Sequence, residues 1–124
     1  MKVRCVANSL RLRVRKSDLQ ALQTDGSISV GLEFPGQAGL TFLLKMGASK
    51  QISLEHAPGE VIIALPRQVA QDWINSNEVG IQHEWSLKEE GKVFKLLIEK
   101  DFPCRHVDGD TYADTFFELV PESE

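Results

Sequence analysis

The chain has 124 residues, of which 42% are hydrophobic and 26% are charged, and its formal net charge is −4. These values are ordinary for a soluble globular domain, and they disfavour a disordered chain. The acidic balance also argues against nucleic acid as a partner, because phosphate backbones are bound by clustered Lys and Arg side chains. The chain shows neither an apolar run long enough for a membrane helix nor a secretory signal, so we expect a cytoplasmic protein without membrane contact.

Seven segments have the period-two alternation or the continuous apolar run that is typical of β-strands. In chain order they are residues 1–14, 28–34, 40–46, 52–56, 61–65, 79–85 and 94–102. In the first segment the apolar residues occupy odd-numbered positions before Asn8-Ser9 and even-numbered positions after it. This change predicts one long strand with a β-bulge. A capping-box pattern predicts a short helix over 18–24, and an apolar stripe predicts a second helix over 66–75.

Short turns join most of these strands, so the pattern predicts an α+β fold with a mainly antiparallel sheet or a small open barrel of about seven strands and two short helices. A parallel sheet is not expected, because the chain lacks long crossover segments, and no internal repeat is visible in the sequence. We assign residues 1–120 to a single domain and residues 121–124 to a loose tail. Sheet closure and oligomeric state, a homo-oligomer included, stay open.

Charge is distributed unevenly between the two ends of the chain. Residues 1–17 contain six basic residues and no acid, whereas residues 99–124 contain eight acids against Lys100 and Arg105. The favoured interpretation is that the two ends pack together and neutralise each other. Arg11 and Arg13 share one face of the first strand, where they either meet acids across the sheet or bind a phosphate or carboxylate in bidentate fashion.

The densest group of reactive side chains follows the last predicted strand. Lys100 is in phase with the apolar residues of that strand, so it is either a catalytic or ligand-binding lysine or a lysine at the sheet end that reaches water. Cys104 and His106 point the same way on an extended chain, which is the arrangement of a nucleophile with its base. Their spacing is not a zinc signature, and we predict no metal site.

The candidate ligand-binding residues are therefore Arg11, Arg13, Lys100, Asp101, Cys104 and His106. No known hydrolase, nucleotide or cofactor motif is present, so no cofactor is predicted and no catalytic residue is assigned. The leading hypothesis is a non-enzymatic binding or interaction module for a protein or a small anionic ligand. The alternative is a small enzyme or metalloprotein centred on Lys100, Cys104 and His106, so enzymatic activity stays an open question.

Two segments resemble a small family of uncharacterised bacterial proteins. The first is Asn8-Ser9-Leu10-Arg11-Leu12-Arg13 with Ser17-Asp18-Leu19, and the second is Leu97-Ile98-Glu99-Lys100-Asp101-Phe102-Pro103-Cys104. The resemblance implies a bacterial cytosolic protein and no particular activity, and this chain departs from the family's Phe-Pro-Asn-Pro ending. The basic first strand is also loosely similar to that of triphosphate tunnel enzymes, although their Glu-x-Glu-x-Lys motif is missing.

Overall fold

A computed structural model describes residues 1–101 of the chain. Within them the protein forms eight strands and two helices. In chain order these are β1 (Lys2–Val6), β2 (Ser9–Val14), α1 (Lys16–Asp25), β3 (Ser27–Phe34), β4 (Gln37–Gly47), β5 (Ser53–Ala57), β6 (Glu60–Pro66), α2 (Arg67–Ile74), β7 (Gly80–Ser86) and β8 (Val93–Lys100).

The strands form two four-stranded sheets, with the orders β1-β2-β8-β7 and β3-β4-β6-β5. This arrangement confirms the α+β class, and the described strands do not close into a barrel. Hairpin pairs on the outside of each sheet are antiparallel, but the central pairs β2-β8 and β4-β6 are parallel. The sequence did not predict these parallel pairs, because they join hairpins that are far apart in the chain and therefore leave no local pattern.

The predicted bulge in the first strand is wrong, because the chain reverses there and forms the β1-β2 hairpin. Lys2 lies opposite Arg13, and Val6 lies opposite Ser9. Ala7 occupies the left-handed region with a φ of 50°, which is unusual for a residue with a β-carbon and typical of tight turns. A bulge and a two-residue turn both shift the apolar parity, so the alternation alone does not distinguish them.

The fold repeats one arrangement twice, since a hairpin, a helix and a second hairpin occur in residues 2–47 and again in residues 53–100. Each sheet takes one hairpin from each half. Matching backbone contacts support the equivalence: the Lys95 N–H donates to the Asn8 carbonyl and the Thr41 N–H donates to the Gly59 carbonyl, both at 2.9 Å. The repeat is invisible in the sequence because the fold requires only the same alternation of apolar residues, not the same residues.

One apolar core holds the two sheets and both helices together. Its buried members are Leu10, Leu12, Val14, Leu22, Ile28, Leu44, Met46, Ile63, Leu65, Ala70, Trp73, Leu96 and Ile98. On β2 the even-numbered residues point into this core, so the odd-numbered Arg11 and Arg13 are placed on the opposite, outer face of the sheet. Because the even-numbered side of β2 is buried, the side chains of Arg11 and Arg13 point away from the core.

Helix α1 begins two residues earlier than predicted, with Arg15 rather than Ser17 at its N-cap. The Arg15 backbone N–H donates to Asp18 Oδ2 at 2.8 Å, and the Met1 ammonium lies 2.9 Å from the same oxygen. Partial burial opposes the ionisation of Asp18, but these two contacts outweigh it and hold the pKa of the carboxyl below its ordinary value. Asp18 therefore stabilises the start of the helix in its charged form.

Candidate ligand-binding cleft

Four basic side chains share the outer face of the β1-β2 hairpin. We call this set, Lys2, Arg4, Arg11 and Arg13, the basic face. The cross-strand register places Lys2 opposite Arg13 and Arg4 opposite Arg11. Like charges in directly opposed positions repel each other, so this face carries unfavourable charge density that a bound anion would relieve.

Among residues 1–101, the carboxylate of Glu99 partly neutralises the basic face. Glu99 of β8 accepts hydrogen bonds on Oε1 from Arg11 Nε at 2.8 Å and from Arg13 Nε at 2.9 Å. Both guanidiniums contact the same oxygen, and Arg11 Nη2 lies 2.7 Å from it. An acid across the sheet was one of the two partners expected for the arginines from the sequence, and within residues 1–101 this one acid faces four cations.

A cleft of about 720 Å³ lies beside the basic face, between the edge strands β1 and β3. We call it the β1-β3 cleft. Its lining residues are Met1, Lys2, Val3, Arg4, Cys5, Arg11, Arg13, Val30, Gly31, Leu32, Leu40 and Phe42. One side is therefore basic and the other is apolar, and Leu32 is 54% exposed although it is a large hydrophobic residue. Exposed apolar surface bordered by charge is typical of binding sites.

The second half of the fold carries larger side chains at the equivalent positions. Leu32 pairs with Leu40 on β3 and β4, whereas the corresponding partners on β7 and β8 are Trp85 and Phe94. The Trp85 and Phe94 rings lie 6.0 Å apart, and His83 packs edge-on against Trp85 at 4.5 Å. Leu32 and Leu40 are smaller than Trp85 and Phe94, so the first half leaves open the space that the two aromatic side chains fill in the second half.

Lys100 lies away from the basic face, because its side chain points to the inner side of the sheet. Its Nζ donates to the Trp73 carbonyl at 2.9 Å and to the Ser76 carbonyl at 2.7 Å, and it lies 5.8 Å from the centre of the Trp73 ring. Carbonyl groups at the end of a helix attract a cation. These contacts favour the structural interpretation of Lys100, as a lysine that caps the end of α2.

Of the remaining candidate residues, Asp101 does not line this cleft. Asp101 lies at the end of β8, where its backbone N–H donates to the Val14 carbonyl at 2.8 Å. Cys104 and His106 lie outside the described residues. The structure therefore brings together Arg11 and Arg13 of the predicted set, and separates Lys100 from them.

Sequence reasoning missed the other components of the cleft. Lys2 and Arg4 were visible only as part of the basic end, because a single bulged strand does not pair them with Arg11 and Arg13. Leu32 and Leu40 looked like ordinary strand residues. The parity change at Asn8 was the one local signal for the hairpin that creates the basic face.

Residues 1–101 contain neither a cluster of metal-ligating side chains nor a helix that could span a membrane. Residues 1–101 hold no group of three or more His, Cys, Asp or Glu side chains placed to bind a metal ion. Neither of the two helices in that part of the chain is long and apolar enough to cross a membrane.

A family model described as "Family of unknown function (DUF7009)" matches residues 1–118. No curated protein and no solved structure matches the chain. The match agrees with the sequence resemblance to a family of uncharacterised proteins, and it covers nearly the whole chain.

Proposed function

We propose that this chain, which belongs to the DUF7009 family of unknown function, is a non-enzymatic binding module whose β1-β3 cleft takes an acidic, extended segment of a protein. The observation that carries the proposal is the position of the cleft between two strand edges, with cations on one side and apolar residues on the other. An extended peptide presents alternate side chains to opposite sides, so acidic and apolar residues in alternation would fit both walls.

The charge of the cleft supports an anionic ligand. Lys2 and Arg4 are exposed and have no ion-pair partner within residues 1–101, while Arg11 and Arg13 share one oxygen of Glu99. Guanidiniums bind carboxylates through two parallel hydrogen bonds, and this geometry is available on the sides of the arginines that Glu99 leaves open. Acidic residues of a ligand would complete the neutralisation that Glu99 begins.

The strand edges support a polypeptide rather than a small anion. β1 and β3 each pair with a strand on one side only among the described residues. The N–H and C=O groups along such an edge can pair with an added strand, which gives affinity that is independent of side chains. A free phosphate or carboxylate would use the cations but would leave the apolar wall with Leu32 uncovered.

A binding experiment with designed peptides tests the proposal. The full chain carries Asp108→Asn, Asp110→Asn and Asp114→Asn, so that its own C-terminal acids do not compete. Fluorescence anisotropy then compares short labelled peptides of alternating Asp and Val, alternating Asp and Ser, and alternating Lys and Val. We expect the Asp-Val peptide to bind most tightly, because only this peptide matches both walls, and to weaken as salt rises.

Two sets of variants locate the site, and both are made in the chain that carries Asp108→Asn, Asp110→Asn and Asp114→Asn. Lys2→Gln with Arg4→Gln should weaken the Asp-Val peptide about tenfold, since each lost cation removes about 0.5–1 kcal/mol. The matched control Lys45→Gln changes an exposed lysine on the other sheet and should leave binding unchanged. Leu32→Trp with Leu40→Phe copies the pair found in the second half and should fill the cleft without unfolding the protein.

Three outcomes would overturn the proposal. The Lys-Val peptide could bind as tightly as the Asp-Val peptide, which would show that charge does not select the ligand. Binding could be unaffected by the Leu32→Trp and Leu40→Phe pair in a folded protein, which would place the site elsewhere. Equimolar inorganic phosphate could displace the peptide, which would identify a site for small anions.

A further inference from the structure

We infer that the segment bound in the β1-β3 cleft carries an aromatic residue between two acidic residues, and that it pairs with the open edge of β1. This inference rests on the proposed function, because it uses the same cleft and the same cations. It deepens that proposal in two respects, since it names the kind of side chain that the apolar wall takes and the strand to which the ligand adds.

The internal repeat of the fold shows what a filled cleft contains. The parallel pairs make β2 equivalent to β6 and β4 equivalent to β8, and this alignment places Leu32 at the position of Trp85 and Leu40 at the position of Phe94. Trp85 and Phe94 are partly buried and pack against the apolar core, whereas Leu32 is 54% exposed. An aromatic side chain of a ligand would complete in the first half the packing that these two rings provide in the second.

The size of the cleft suits an aromatic side chain. Its volume of about 720 Å³ lies within the range of roughly 300–1,000 Å³ that is typical of ligand pockets. Aromatic residues bury roughly 150–250 Å² each, the largest apolar areas among the side chains. A tryptophan would therefore cover more of the exposed surface of Leu32 and Leu40 than the valine of an Asp-Val peptide would.

The two faces of β1 explain why acids flank the aromatic residue. On its outer face β1 carries Lys2 and Arg4, which belong to the basic face. On its inner face it carries Val3 and Cys5, which lie opposite buried residues of β2. A strand added beside β1 continues both faces, because successive side chains point to opposite sides. Two acids beside the cations thus direct the residue between them into the cleft.

Charge also selects β1 rather than β3 as the edge that the ligand joins. Among the described residues, β1 and β3 each have a neighbouring strand on one side. Residues Ser27–Phe34 contain no basic side chain, and their one charged residue is the acid Glu33. Acids of a ligand paired with β3 would lie near Glu33 and would meet no cation of that strand, and like charges on neighbouring strands are destabilising.

Three labelled peptides test the aromatic preference on the chain with Asp108→Asn, Asp110→Asn and Asp114→Asn. The first is the Asp-Val peptide, and the second, the Trp peptide, has Trp in place of its central Val. The third, the swapped peptide, exchanges this Trp with a neighbouring Asp, so it has the same composition but presents the ring on the acidic side. By fluorescence anisotropy we expect the Trp peptide to bind about tenfold more tightly than the Asp-Val peptide, and the swapped peptide to lose this gain.

The cleft-filling variant tests whether the gain arises in the cleft. In the Leu32→Trp and Leu40→Phe protein, checked for folding by circular dichroism, the Trp peptide should bind within about twofold of the Asp-Val peptide, because the protein's own rings fill the space. The control Leu87→Trp adds an indole ring at an exposed leucine outside the cleft. It should leave the ratio of the two affinities at about tenfold.

Disulfide formation with Cys5 tests the placement beside β1 without changing the apolar wall. Cys5 lines the cleft and is exposed, and Cys104→Ser removes the other thiol of the chain. One form of the Trp peptide carries Cys in place of a Val, and the matched form carries Cys in place of the neighbouring Asp. Side chains on one face of adjacent strands have β-carbons about 4.5–5.5 Å apart. Under mild oxidation we therefore expect the form with Cys at the Val position to link to Cys5 at least about fivefold faster.

The outcomes separate this inference from the proposed function. If the Asp-Val peptide binds and the Trp peptide binds no more tightly, the aromatic preference is wrong and the binding module stands. If none of the three peptides binds, the proposed function fails as well. A swapped peptide that binds as tightly as the Trp peptide would show that the ring is not recognised in the cleft. Equal rates of disulfide formation at the Val and Asp positions would refute the placement beside β1.

Discussion

Replacing Glu99 by Gln tests whether the basic face is held together by this one carboxylate. Each charge-assisted hydrogen bond contributes about 1.5–3 kcal/mol when well desolvated, but exposed ion pairs retain at most about 1 kcal/mol. The side chains of Arg11 and Arg13 are 36% exposed and that of Glu99 is 14% exposed, so the contacts are only partly shielded. We therefore expect Glu99→Gln to lower the free energy of unfolding by about 1–2 kcal/mol, since the amide oxygen keeps part of the hydrogen bonding.

The assay is urea unfolding followed by tryptophan fluorescence at low salt and at about 1 M NaCl, where charge screening acts over about 3 Å. The difference between Glu99→Gln and the unsubstituted protein should shrink at high salt, because the repulsion among the four cations is then screened. Glu84→Gln changes an exposed acid on the same face of the sheet and should have little effect. A loss below about 0.5 kcal/mol for Glu99→Gln, or a loss that does not depend on salt, would refute the reasoning.

Two further changes test the termini of the helices. Lys100→Met should lower the free energy of unfolding by about 1–2 kcal/mol, because the carbonyls of Trp73 and Ser76 lose their cation. The control Lys95→Met, on the exposed side of β8, should change this free energy by less than about 0.5 kcal/mol. An equal effect of both, in thermal or urea unfolding, would show that Lys100 does not cap α2. Asp18→Asn should destabilise the protein at pH 7, where the carboxylate is charged, and the difference from the unsubstituted protein should disappear as the pH falls below 3.8 and through the lowered pKa of Asp18. A difference that persists unchanged at low pH would assign the effect to packing instead of charge.

Hairpins and helices were largely predictable because each depends on neighbours in the chain. Alternation over 28–34 and 40–46 predicted the β3-β4 hairpin, and the apolar stripe over 66–75 predicted α2 within one residue at each end. The β1-β2 hairpin was missed, because a bulge and a tight turn at Asn8 produce the same change of parity. Arg11 and Arg13 were identified as a possible anion site because both lie on the polar side of an alternating strand.

By itself the sequence determined the class of fold, the apolar face of each strand, the two short helices and the uneven distribution of charge. All of these follow from local periodicity and composition. Only the tertiary structure decided which strands lie side by side. The parallel pairing of β2 with β8 brings Glu99 to the arginines, and the position of β3 across the cleft from β1 places Leu32 beside the basic face. Such contacts depend on residues distant in the chain, so no local pattern contains them.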